Sequence, residues 1–132
     1  MLHPDSPHNF YAQWLERGWI AHAHTRSVQI NGVPNPLTTR GDKPGRGIQY
    51  PFVQPPAGSY HQARDESELA PWKSAVEKLL QWKKANPDSA FNQISCEFIP
   101  FPDYGGGARY SIFEQNVACA KWLRELMRDL QY

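Results

Sequence analysis

"GWIAHAHTR", residues 18–26, sets two histidines two positions apart inside a short apolar run. In an extended chain successive side chains point to opposite faces. Ile20, His22 and His24 then share one side of a strand of about six residues, and Trp19, Ala21 and Ala23 share the other. Just ahead, "NFYAQWLERG" reads as a short amphipathic helix with Phe10, Trp14 and Leu15 on one face and Gly18 as its stop. A helix running into a strand that carries two imidazoles is the first half of an α/β pattern.

The second half lies beyond an irregular stretch. From about residue 27 to about residue 68 no period is sustained. Pro34, Pro36, Pro44, Pro51, Pro55 and Pro56 exclude regular helix there, because proline lacks an N–H and clashes with the preceding turn. "NGVPNP", "TTRGDKPGRG" and "QPPAGS" carry turn chemistry. A loop of this length in a compact domain is either functional or disordered. Its aromatics, Tyr50, Phe52 and Tyr60, argue that it packs on something, since disordered linkers are poor in them.

After the loop the period returns. "PWKSAVEKLLQWKKANP" predicts a helix with Pro71 in its first turn, Trp72, Val76, Leu79 and Leu80 as its apolar positions, and Asn86-Pro87 as its end. "NQISCEFIPF" predicts a second strand, with Ile94, Cys96 and Phe98 on one face and Ser95, Glu97 and Ile99 on the other. "PDYGGGARY" is a loop. The last helix opens on a capping box, Ser111 with Glu114, and continues through Phe113, Val117, Ala120, Leu123 or Arg124, Met127 and Leu130. Strands alternating with helices indicate parallel βαβ wiring. The fold class expected is therefore α/β: a βαβα unit over residues 1–132 with two parallel strands, three helices and a long Pro-rich loop. Two strands are few for a parallel sheet that must be covered on both faces, so the pattern reads as part of a larger α/β object or as a chain that associates.

Bulk properties exclude several classes. The net charge of +1, with acids and bases interspersed, offers no electrostatic case for nucleic acid or an anionic membrane surface. No apolar run is long enough to span a bilayer. "MLHPDSPHNF" has neither a basic n-region nor an apolar core, so no secretory signal is expected and the compartment expected is the cytoplasm. The two cysteines, Cys96 and Cys119, sit at neither a zinc-ribbon nor a CxxC spacing and read as reduced, buried thiols. There is no G-x-S-x-G elbow for a serine nucleophile, and a Cys–His hydrolase has only the presence of both residue types behind it.

Chemistry is expected where ligands bind in parallel α/β sheets, beyond the carboxyl ends of the strands. His22 and His24 near the end of the first strand and Glu97 near the end of the second converge if the strands are neighbours. Imidazole nitrogens with carboxylate oxygens suit Mn²⁺, Co²⁺, Zn²⁺ or Mg²⁺. Arg26 could hold a substrate oxygen or phosphate. Each residue also has a plainer reading. An HxH pair suits a solvated strand face, and Glu97 suits the open side of an edge strand, although a carboxylate within an apolar strand is seldom buried unless paired or ligating. The triple glycine at 105–107 could cradle a phosphate or simply turn the chain. "RGD" at 40–42 is read as coincidence, His61 and Tyr60 have no assigned partner, and Trp14, Trp72, Trp82 and Trp122 are read as packing residues.

With those residues in place, the chain resembles the C-terminal part of the xylose-isomerase-like TIM barrels, the sugar phosphate isomerase and epimerase family. "IAHAHTR" is similar to the family's penultimate strand, where an HxH sequence ends in a metal-ligand histidine. "PGRGIQYPF" and "PWKSAVEKLLQW" are similar to the loop and helix that follow. "ISCEFIPFPDYGGG" is similar to the last strand, whose glutamate is the final metal ligand. The resemblance implies His24 as a metal ligand, Glu97 as metal ligand and catalytic acid/base, and His22 and Arg26 as substrate-binding residues. It further implies a divalent metal, a sugar or sugar phosphate substrate, and proton transfer next to a carbonyl. A complete barrel has eight strands in roughly 250 residues. Two strands, with no counterpart for the family's glutamate and aspartate ligands from earlier strands (Asp5, ahead of the first helix, is no match), imply a truncated or split barrel completed by another chain. The alternative expectation is a non-catalytic binding or assembly module that covers its sheet edges in a homodimer.

Overall fold

The computed structural model describes residues 10–27, 39–40, 43–44, 49–60, 63–99 and 109–132. In chain order these form helix α1 (Tyr11–Glu16), strand β1 (His22–Thr25), two short strands β2 (Thr39–Arg40) and β3 (Lys43–Pro44), a 3₁₀ turn (Glu66–Leu69), helix α2 (Ala70–Ala85), strand β4 (Gln93–Cys96) and helix α3 (Ile112–Asp129). The readings of Asp5, His61 and residues 105–107 lie outside the described residues, as does most of the "RGD" stretch.

β1 and β4 pair in parallel, with His22 opposite Gln93, Ala23 opposite Ile94, His24 opposite Ser95 and Thr25 opposite Cys96. Backbone bonds bracket this ladder: Asn92 N–H donates to Ala21 O at 3.2 Å and Glu97 N–H to Thr25 O at 3.1 Å. A parallel pair requires a crossover, and the irregular stretch with α2 supplies it. The chain is thus a small α/β unit with two parallel strands and three α-helices, as its sequence pattern indicates. β2 and β3 form a separate antiparallel pair.

β1 spans four residues rather than about six, and its alternation is as read: His22 and His24 are exposed while Thr25 is buried and Ala23 packs on the core. On β4, Ile94 and Cys96 pack on the core and Phe98 just beyond it is buried. α2 buries Trp72, Val76, Leu79 and Leu80, the positions its period marks. It starts at Ala70 with Pro71 in its first turn, as read, and a 3₁₀ turn over the end of the loop leads into it, capped by Asp65, which accepts a hydrogen bond from Ser67 N–H at 2.9 Å.

Two helix faces differ from expectation. On α1 the buried residue is Leu15, whereas Phe10 and Trp14 stack on each other at 6.4 Å and stay half-exposed. Six residues are too short to bury a wide stripe, and the Tyr11 hydroxyl, donating to Ala75 O at 2.6 Å, sets which side meets α2. On α3 the inward residues are Gln115, Cys119 and Leu123, with Ile112, Trp122 and Leu126 packed against the core. Phe113, expected inside, is 75 % exposed. The face is turned because Gln115 is buried to answer the loop backbone: its Oε1 accepts from Val53 N–H at 2.9 Å. The capping box is seen in its Ser111 half, with Ser111 Oγ accepting from Glu114 N–H at 3.2 Å.

Tyr50 and Phe52 of the irregular stretch are buried in the same core, and Tyr60 packs against it partly buried. Tyr50 is almost wholly enclosed, and Phe52 packs against Trp72 and Trp122 with ring centroids 6.0 and 5.9 Å away. Arg64 donates from Nε to Pro51 O at 3.0 Å and from Nη2 to Phe52 O, and so holds the loop's carbonyls. Gln49 completes the arrangement by exchanging two hydrogen bonds with the backbone of Ile99, at 2.6 and 2.9 Å.

Candidate functional site

The two parallel strands expose one face. His22 and His24, two apart on β1, lie on it with ring centroids 4.5 Å apart. Glu97, one residue beyond β4, reaches across so that its Oε2 is 2.9 Å from His24 Nδ1. Arg26 Nη1 is 3.8 Å from the same oxygen. His22 Nε2 lies 3.1 Å from Ser95 Oγ. All four residues singled out by sequence are therefore brought to one face by one parallel pairing. One detail differs: His22 opens β1 rather than ending it, so the group runs along the strands instead of sitting wholly beyond their carboxyl ends.

The cluster is wet. The side chains of His24 and Glu97 are 54 % and 40 % exposed, and that of Arg26 is 20 % exposed. Exposed ion pairs stabilise a fold by about 0–1 kcal/mol, so the arrangement is of more interest for chemistry than for stability. Nδ1 facing a carboxylate fixes the imidazole's orientation and leaves Nε2 available for proton transfer. The positive guanidinium beside Glu97 favours an anionic oxygen nearby.

Two of these residues could each contribute one donor to a divalent metal. Donors bonded at about 2.1 Å to an octahedral or similar ion stand about 3 Å apart on neighbouring vertices. The 2.9 Å between His24 Nδ1 and Glu97 Oε2 fits such an edge. Among the described residues no group of three or more His, Cys, Asp or Glu gathers to form a shell. A metal held here would use His24 and Glu97, with its other positions taken by water, substrate or donors outside the described residues.

The opposite face of the same strands carries a cluster that sequence spacing did not reveal. Thr25 and Cys96 are partners across the ladder, and Thr25 Oγ1 lies 4.0 Å from Cys119 Sγ on α3. A hydrogen bond from Cys119, opposed by partial burial and helped by Thr25 and Arg124, holds the Cys96 thiol below the ordinary thiol range. The same bond and burial push Cys119 up. Cysteines 23 positions apart give no motif; the only available signal was that Cys96 points inward on its strand and the period of α3 could turn Cys119 toward it.

Among the described residues no helix is long and apolar enough to cross a membrane. No family model matches this chain, and no curated protein or solved structure matches it.

Proposed function

We propose that this chain is a sugar isomerase/epimerase-like protein that transfers a proton next to a carbonyl at the face formed by His22, His24, Arg26 and Glu97. The observation that carries this reading is the contact between His24 Nδ1 and Glu97 Oε2 at 2.9 Å, with Arg26 beside the same oxygen. Glu97 accepts the proton from the carbon next to the carbonyl, and His24 holds the carboxylate in place and shares the proton. Arg26 binds an oxygen or phosphate of the substrate, and His22, fixed by Ser95, hydrogen-bonds a sugar hydroxyl. A divalent ion on His24 and Glu97 would polarise the carbonyl. Two strands supply part of a barrel site: exchange of the proton next to the carbonyl needs only these four side chains, whereas the full isomerisation needs further strands from a complementing chain.

Metal binding and proton exchange test the proposal separately. Manganese titrated into the full chain, followed by its paramagnetic resonance, should bind, and His24→Ala and Glu97→Gln should each weaken binding by about tenfold or more, in line with losses seen even for residues that only support a ligand. Exchange of deuterium into a keto sugar should fall with the same variants. Equal, negligible binding in all three proteins removes the metal, and exchange indifferent to Glu97→Gln removes the proton-transfer role.

A second reading is a homodimeric assembly module. Phe10, Trp14 and Trp19 are 49 %, 47 % and 65 % exposed within one short segment, and apolar surface in a contiguous patch marks an interaction site. Light scattering that returns a monomer across a wide concentration range would end this reading and leave the first untouched.

A further inference from the structure

The face of the sheet turned toward α3 holds the chain's two thiols, and they differ in access. Cys119 is fully buried, while Cys96 is half-buried and lines a groove of about 380 Å³ that opens to solvent. Lys121 and Arg124, one helical step apart from each other on α3, line the same groove with Asn116. Thr25 joins the pair: it is the ladder partner of Cys96 and its hydroxyl touches Cys119 Sγ at 4.0 Å. Neither cysteine is tied up in a disulfide. An accessible sulfur beside two cations, backed by a second sulfur that solvent does not reach, is the arrangement of an attacking and a resolving thiol.

We infer that Cys96 is a modification site for hydroperoxides, with Cys119 as its resolving partner. The Cys96 sulfur attacks the terminal oxygen of the hydroperoxide. A sulfur–oxygen bond forms, the oxygen–oxygen bond breaks, and the alcohol (water, from hydrogen peroxide) leaves with a proton. Cys96 is then a sulfenic acid. Cys119 sulfur attacks the Cys96 sulfur, the sulfur–oxygen bond breaks, and water leaves with the Cys119 proton. The two thiols have supplied two electrons to the peroxide and are joined as a disulfide between β4 and α3. Lys121 and Arg124 stabilise the negative charge that develops on the departing oxygen. The groove admits a small hydroperoxide from the side away from His24 and Glu97, so the modification does not require the other face to be occupied.

The test uses the reduced full chain with hydrogen peroxide. Intact mass should show the loss of two hydrogens, reversed by a dithiol reductant, and peptide mapping should join the Cys96 and Cys119 peptides within one chain. In Cys119→Ser the reaction should stop at a sulfenic acid on Cys96, captured by dimedone. Should that variant not fold, native wild-type chain treated with N-ethylmaleimide decides the first step: Cys96 should be alkylated and Cys119 spared. Wild-type chain left unmodified by peroxide that consumes glutathione in the same tube overturns the inference. So do a disulfide formed only between chains, and alkylation of Cys119 ahead of Cys96.

Discussion

Three amide side chains take over backbone pairing where regular structure stops. Gln49 pairs with Ile99, Asn116 accepts from Phe98 N–H at 3.1 Å, and Gln115 serves Val53. Buried backbone groups need such partners, and an amide offers both a donor and an acceptor. Gln115→Ala should cost about 1–3 kcal/mol, because it leaves the Val53 N–H without a partner; urea unfolding would read this as a lower midpoint at unchanged slope. These residues also mark where sequence reading reached its limit. A glutamine in a helix reads as surface, so Phe113 and Val117 read as core in its place, whereas Leu123, Met127 and Leu130 of the same pattern do pack on the core. His24 and Glu97 were legible for the opposite reason: both stand on strands, where a period of two fixes the face without reference to anything else.

At the level of elements, two helices end the same way with different residues. After α1, Gly18 N–H donates to Leu15 O and Trp19 N–H to Trp14 O, with Gly18 at φ +64°. After α3, Gln131 N–H donates to Arg128 O and Tyr132 N–H to Met127 O, with Gln131 at φ +58°. Both close orphan carbonyls by the same left-handed turn. A side chain in that conformation costs about 1–2 kcal/mol. Gly18→Ala should therefore destabilise by about 1 kcal/mol, through the backbone alone, since a Cβ there meets nothing within 4 Å. Gln131→Gly should stabilise by up to about 1 kcal/mol, less the extra freedom gained by the unfolded chain. Paired thermal melts would show shifts of opposite sign. Gly18 was readable as a stop because glycine announces the turn; the α3 ending was not, because nothing about glutamine does.

For the whole molecule, ionisable groups bound the pH range of stability on both sides. Hydrogen bonds from Ser67 hold Asp65 below the ordinary carboxylate range. At Glu66 burial pushes the carboxyl up, but hydrogen bonds from Lys73 and Arg64 and their charges together outweigh it and hold it down. A depressed carboxylate contributes fully above its unfolded value, about 4, and that contribution fades as pH falls through the folded value. At the other end, burial pushes Tyr11 and Tyr110 up to about 12. A raised phenol contributes fully below its unfolded value, about 10, and is lost as pH climbs toward the folded one. Melting temperature should therefore be flat near neutrality from these groups, falling below about pH 4 and above about pH 10. Asp65→Asn keeps a capping oxygen and should make the acid limb shallower. The α/β wiring was legible in the alternation of periods. The packing of residues 49–60 was legible only as a hint in their aromatics, because what holds them is a set of partners, Arg64, Asp65 and Gln115, that no local pattern encodes.

Among the described residues the two strands are packed on one side only, and on the proposed reading that has a kinetic meaning. On the packed side, Thr25 and Cys96 sit against α3. On the other, His24 and Glu97 stand half in solvent. A carbanion-like species formed on an open face would be reprotonated by bulk water before it could choose its stereochemistry. On the proposed proton-transfer reading, whatever covers this face would therefore set product fidelity, and recruiting that cover, more than assembling the four side chains, would be the step on which turnover depends.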